Sequence, residues 1–297
     1  MQRISKLKKE IKFNNDMGSM LNVLKGIASS EFYRLNKKIK DLSYLGDELK
    51  SFFDMVDIKG ISHVLLGFSV LPKTIVIITS DSGFLGKLNV SVVNVALELY
   101  TKGDVLLVVG EQGARYVEEE IGPEFVKFSG IGDDRQYDEA EKFADYLLGK
   151  FLKKEFGRTI VVYPHFVSFA VWEPKTYQLF PCRFLFSNDN FTEGAEADRY
   201  GLKDSEKDKI IYELSIARVM ERLVRFMTGY RLYGIFWESK LSELAARVIH
   251  MDGSFFRIEE RNKDLRLAYF RAMHDMSDKS IREIFSGRLE VQKHREW

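Results

Sequence analysis

Ser80 to Asn89, SDSGFLGKLN, is the stretch of this 297-residue chain whose residue types and spacing most suggest ligand chemistry: it follows an apolar run, carries two glycines and opens an amphipathic segment, as a phosphate-binding loop does. The spacing does not fit. A P-loop needs G-x-x-x-x-G-K-S/T so that backbone amides surround the phosphates and a hydroxyl reaches magnesium, whereas Gly83 and Gly86 stand only three apart and Leu88 follows Lys87. Nor is it G-x-G-x-x-G. These glycines are read as turning a strand into a helix. His63, His165, His250, His274 and His294 are scattered without H-x-x-x-H or C-x-x-C spacing, so no metal site is expected. Cys182, the single cysteine, follows Pro181 in an apolar stretch and is read as a buried small hydrophobe. Asp81, the Glu118 to Glu120 triplet and the Asp133–Asp134 doublet are carboxylates that could pair in principle, but the triplet and the doublet read as solvated turn or helix-surface charge. No catalytic residue, cofactor or metal is expected, which points to a mechanical or scaffolding part.

The elements around that turn are legible from periodicity. Thr74 to Thr79, Asp104 to Val109 and Thr159 to Tyr163 read as buried strands, with Glu124 to Phe128 and Phe180 to Phe186 as further strands. Asn89 to Lys102, Gln112 to Ile121 and Asp138 to Phe156 read as helices between them. Such alternation argues a doubly wound, largely parallel sheet. All five prolines lie from Pro72 to Pro181, leaving 71 residues before and 116 after without one. Both ends are free to be helix.

Each end carries a heptad seam. Ile4, Leu7, Ile11, Asn14, Met17, Leu21, Leu24, Ala28, Phe32, Leu35, Ile39, Leu42, Leu45, Leu49, Phe52 and Val56 advance at 3.47 residues per step, with Asn14 as the polar interruption that can fix register. Leu241, Leu244, Val248, Met251, Phe255, Ile258, Asn262, Leu265 and Tyr269 advance at 3.5. The economical arrangement pairs the two. The expected fold is therefore α/β, with a long antiparallel coiled coil of N- and C-terminal helices plus a central Rossmann-like domain with a largely parallel sheet. Its parts are an N-terminal shaft helix over 1–58, an α/β domain over 59–190, a polar linker over 191–208 and a C-terminal helix with a charged tail over 209–297.

Composition excludes other classes. Aromatic content of 13% and a net charge of +1 do not describe a disordered chain or a nucleic-acid binder driven by bulk charge. Residues 1–40 carry ten basic against three acidic side chains, a strip suited to an acidic protein partner, with no interleaved aromatics for base stacking. No segment reads as a bilayer span or signal peptide, and a reducing compartment is expected.

Four stretches in order resemble the gamma subunit, the central rotor shaft, of F-type ATP synthases. They are GSMLNVLKGIASSEFYR (Gly18 to Arg34), ITSDSGFLGKLN, VYPHFVSFAVWEPKTYQLFP, and ESKLSELAAR followed by LRLAYFRAMHDMSDKSIREIFSG. Glu238, Ser239, Glu243, Ala245, Ala246, Arg247, Met251, Tyr269, Glu283, Ile284 and Gly287 match the family's C-terminal helix, and Asp81, Gly83, Gly86, Leu88 and Asn89 its central turn. The resemblance implies a non-catalytic rotor on the cytoplasmic face of the membrane. Its implied partners are an alpha/beta catalytic ring, an epsilon-type subunit and a membrane c-type ring. Lys25, Met273 and His274 are then candidate head contacts, and Phe184, Phe186 and Asn188 candidate ring contacts.

The sequence departs from the family at several of these places. Ser82 stands for an arginine, Lys87 for a glycine and Met273–His274 for an Arg-Gln pair, while Phe184 to Asn188 lacks the acidic residue of Y-x-Y-E-P. Beyond Gly287 the tail RLEVQKHREW is charged. Two other readings stand beside the rotor: a nucleotide- or metabolite-binding α/β protein with coiled-coil arms, and a shaft-like adaptor of an F-like ATPase lacking a membrane ring.

Overall fold

The computed structural model describes residues 2–55, 63–67, 71–120, 122, 124–130, 132, 136–182 and 215–293, with side chains of the first helix described to Lys37 and of the last to Ser286. Its elements are α1 (Gln2–Met55), β1 (Thr74–Ile78), α2 (Leu88–Leu99), β2 (Val105–Val109), α3 (Glu111–Glu120), β3 (Val126–Phe128), α4 (Gln136–Leu152), β4 (Thr159–Ser168), β5 (Val171–Phe180) and α5 (Ile216–Lys293). The chain separates into two compact units, one of Ser29–Arg247 and one of Met1–Ala28 with Val248–Trp297.

The larger unit is built on a five-stranded sheet of order β3-β2-β1-β4-β5. β1 pairs in parallel with β2 and β4, β2 with β3, and β4 antiparallel with β5. β1 is buried at every residue, as its unbroken TIVII run requires of a central strand covered on both faces. Ile75, Ile77, Leu106, Val108, Ile160 and Val162 point to one side, against Val92, Val93 and Ala96 of α2 and Ala114 and Val117 of α3. Val76, Ile78, Leu107, Val109, Val161 and Tyr163 point to the other, against Phe143, Leu147 and Phe151 of α4 and Met220, Val224 and Phe236 of α5. Three layers result, helix, sheet and helix.

Among the described residues β5 ends at Phe180, where a strand was expected to begin, and it forms a hairpin with β4; the expected strand beyond Cys182 lies outside the described residues. Pro164 and Pro174 argue against strands in this stretch, yet they are register partners. β4 leaves β1 after Val162, and β5 is an edge strand, so neither missing N–H removes a bond from the sheet interior. The Phe180–Pro181 peptide is cis.

The smaller unit pairs the start of α1 with the end of α5. Asn262 Nδ2 donates to Asn15 Oδ1 at 2.9 Å and Lys25 Nζ lies 2.8 Å from Asp252 Oδ1. Ten residues forward on α1, from Asn15 to Lys25, match ten residues back on α5, from Asn262 to Asp252, which makes the pairing antiparallel and without a slip. Leu21 and Met251 are buried in it, while Val23 and Phe256 are exposed.

The N-terminal seam needs two corrections. Gly18 is buried where Met17 was expected, and Met17 is 36% exposed. An added Cβ on Gly18 would sit 3.5 Å from Phe255 Cε2, so the Phe255 ring takes the space that a side chain at the seam would fill. The polar pair is Asn15 with Asn262, not a lone Asn14. Side chains from Lys38 to Val56, the 191–208 linker, Phe184, Phe186 and Asn188, and the side chains of the tail beyond Gly287 lie outside the described residues.

Candidate functional site

The sheet order reverses between β1 and β4, and in doubly wound folds the crevice beyond the strand ends at that point is where ligands sit. The Ser80 to Asn89 turn starts there. Its polar residues are committed to holding the edge together. Asp81 Oδ1 accepts from the Glu111 amide at 2.9 Å and from the Gly130 amide at 3.0 Å, joining the β1 turn to the start of α3 and the end of β3. A carboxylate there also complements the positive end of α3. Asn89 Oδ1 accepts from the Ser80 amide at 3.3 Å, and its Nδ2 donates to Ser80 Oγ at 2.9 Å, closing the turn from within. Gly86 has φ of 59°, a conformation that glycine adopts freely, whereas Gly83 has open space at the position of a Cβ.

Helix α5 contacts this turn at Leu85, Leu88 and Ser82 through residues that the sequence singles out, leaving Asp81, Phe84, Gly86 and Lys87 exposed. Leu85 and Leu88 pack with Ala246, and Trp172 of β5 leans on them. Ala246 lets the backbone of α5 come close, as a larger side chain would not. Beside this apolar contact, the Glu243 side chain is 9% exposed and is held by Arg247 Nη2 at 2.5 Å and Lys240 Nζ at 3.4 Å. Ser82 Oγ donates to Glu243 Oε1 at 3.3 Å and accepts from Arg247 Nη2. Ser82 is therefore part of a cluster in which a basic residue of α5 itself neutralises the carboxylate. A buried carboxylate left without that partner would be strongly unfavourable.

One turn earlier on α5, His165 Nδ1 donates to Glu238 Oε2 at 2.6 Å, tying the β4–β5 hairpin to the helix. Burial pushes the Tyr163 phenol well above its ordinary range, and the Glu238 carboxylate next to it adds to that. Ser239 and Ala245 are buried, and Ser242 Oγ donates to Pro164 O at 3.1 Å. Cys182 is 1% exposed, donates its thiol to Leu65 O, and is pushed up to about 12 by burial, which leaves it inert as a nucleophile at neutral pH.

The remaining singled-out residues lie in the smaller unit. Met251 is buried, Tyr269 and Met273 are half-buried, and His274 and Glu283 are exposed, the last near Lys279. Ile284 is exposed and Gly287 lies within α5. Lys25 reaches across to Asp252 and lies over the Phe255 ring, 5.9 Å from its centroid. Among the described residues no group of three or more His, Cys, Asp or Glu side chains could hold a metal ion, and no helix is long and apolar enough to cross a membrane.

The sequence does not show the partners of these residues. The His165–Glu238 contact spans 73 residues, and a pairing at that range leaves no periodic trace. Ser82 was noted as a departure without its link to Glu243 and Arg247. Gly18 carried a readable signal: a glycine inside an uninterrupted helical stripe costs about 1 kcal/mol against alanine, which asks for a packing reason.

The ATP synthase family model matches residues 3–289. The ATP synthase gamma chain of Symbiobacterium thermophilum is 29% identical over 221 residues, covering 73% of this chain and 72% of that one. That of Mycoplasma mycoides is 22% identical over 290 residues, covering 97% and 98%. Among solved structures, a chain of the Euglena gracilis mitochondrial ATP synthase OSCP/F1/c-ring assembly superposes with a TM-score of 0.72 at 14% identity, over 100% of this chain and 97% of its own. A chain of the rotor of the same enzyme gives 0.68 at 15%, over 93% and 99%. With a doubly wound α/β unit packed on its own long helix and an antiparallel pair of terminal helices, the chain belongs to the ATP synthase family as one of its gamma chains, the non-catalytic subunits of the rotary stalk.

Proposed function

We infer that the chain is the central stalk of a rotary ATP synthase or ATPase and couples ion flow through a membrane ring to catalytic sites by turning. The observation that carries this reading is the antiparallel helix pair marked by Asn15–Asn262 and Lys25–Asp252, the two-stranded element that a turning stalk requires. Its partners are an alpha/beta catalytic ring, an epsilon-type subunit and a c-type ring; the similar solved structures, a rotor and an OSCP/F1/c-ring assembly, support this. The chain works as a peripheral subunit on the cytoplasmic face. Residues 1–58 and 209–297 serve as the shaft, 191–208 as the linker and 59–190 as the foot. Met273 and His274 are offered to the catalytic head, with Lys25 on the same pair of helices, and Phe184, Phe186 and Asn188 to the membrane ring. Glu243, Ala246 and Arg247 act differently, joining α5 to the foot through the Asp81 to Asn89 turn, while Glu238 joins it through His165 and Ser239 and Ala245 are buried on the same helix. Affinity purification of the full-length chain from its native membranes tests the assembly. P-loop catalytic subunits recovered at fixed stoichiometry are expected, and their absence overturns the reading.

A further inference from the structure

We propose that Phe255, seated in the notch left by Gly18 beneath the Lys25–Asp252 ion pair, is the register key of the antiparallel helix pair. Three observations meet at this ring. The seam buries a glycine and leaves the neighbouring methionine exposed, which sacrifices apolar burial unless something else fills the site. Phe255 Cε2 and Cδ2 lie 3.5 and 3.7 Å from the position of a Gly18 Cβ, so the ring is what fills it. Lys25, bonded to Asp252 one turn before Phe255, sets its ammonium over the same ring.

The polar pairs do not fix the register alone. Slipping α5 by one heptad in one direction puts Asn22 opposite Asn262 and Glu259 opposite Lys25, so both polar contacts are replaced in kind. That slip puts Lys25, not Gly18, against Phe255, and leaves the Gly18 notch facing Asn262 and Leu265. The opposite slip sets Ile11 against Phe255 and Lys8 against Asn262. Only the observed register matches the large ring to the missing side chain. Asn262 carries a cost in the observed register, since it is 8% exposed and its Oδ1 has no hydrogen-bond partner among the described residues, so this polar pair is not what selects the register. Gly18 and Phe255 are thus positioning residues, setting which faces of the two helices lie together.

Disulfide trapping in the full-length chain, on a Cys182→Ala background, reads the register directly. Ile11→Cys with Leu265→Cys reports the observed register, and Ile11→Cys with Ala272→Cys the one-heptad slip. With the notch intact, only the first pair should cross-link, and Gly18→Ala should keep that pattern because its Cβ makes ordinary contact with the ring. Gly18→Leu should raise the out-of-register product about tenfold, the scale set by the penalty for overpacking a closed position. Adding Phe255→Ala to Gly18→Leu reverses the size match and should restore the first pattern. An unchanged pattern in Gly18→Leu overturns the proposal, as does equal cross-linking of both pairs, or of neither, with the notch intact. Should Gly18→Leu fail to fold, recovery of folding in the size-reversed variant supports the proposal, and its failure alongside the single variant contradicts it.

Discussion

Glu243 is held by neighbours of which one, Ser82, lies outside its own stretch of sequence. Its carboxylate is buried against Arg247, Lys240 and Ser82, so the cluster holds only while all the charge is matched. Arg247→Ala should cost about 3 kcal/mol, because it strands a buried carboxylate with a more distant lysine, whereas Ser82→Ala should cost about 1 kcal/mol. Urea unfolding midpoints at constant slope would measure both. Asp104 gives a prediction in pH. Burial alone would raise its pKa, but the Thr101 hydroxyl and amide and the Lys73 amide and ammonium outweigh that and hold it below the ordinary carboxylate value. A folded-state pKa below the unfolded one stabilises the fold fully above the unfolded value and is lost as pH falls through the folded one. Asp104→Asn should therefore destabilise the chain at pH 7 and flatten its stability curve below about pH 4, as thermal melts across that range would reveal.

Helices and strands were readable in the sequence wherever their own periodicity was sufficient to define them. β1 and β2 announce themselves as unbroken apolar runs, and the heptad steps locate Val248, Met251, Phe255, Ile258 and Asn262 on the face of α5 that pairs with α1. Where a long-range partner decides, periodicity misleads. Pro164 and Pro174 hide the β4–β5 hairpin because their tolerance depends on where β1 ends, and Gly18 displaces Met17 because Phe255 arrives from the other end of the chain. The candidate turn was legible as architecture from its failed glycine spacing, but its closure by Ala246 and Trp172 was not, since neither residue signals in sequence what it will cover. Gly110, between β2 and α3, adopts φ of 102°, and an added Cβ would fall 2.4 Å from Thr79 O. Gly110→Ala should cost about 3 kcal/mol or more in chemical unfolding, since both the backbone angle and the space forbid the side chain. Leu244, fully buried on α5, should behave similarly when made Leu244→Asp, losing about 4 kcal/mol to an unpaired buried charge.

At the scale of the molecule, the absence of proline from both ends suits a stalk, because a helix that transmits torque keeps its backbone hydrogen bonds. Within the larger unit, Leu85, Leu88 and Trp172 around Ala246, with Arg247 and Glu243 beside Ser82, form a joint between α5 and the turn after β1. Loosening it should cost coupling more than hydrolysis: Ala246→Leu should leave ATP turnover by the assembled complex intact while ion pumping falls severalfold, a separation that paired turnover and pumping assays would detect. Rotation itself tests the account most directly. A probe fixed to the α/β unit of this chain in an immobilised, assembled complex should turn in one direction on addition of ATP; a complex that hydrolyses ATP while the probe stays still would contradict the assignment of this chain as the rotor.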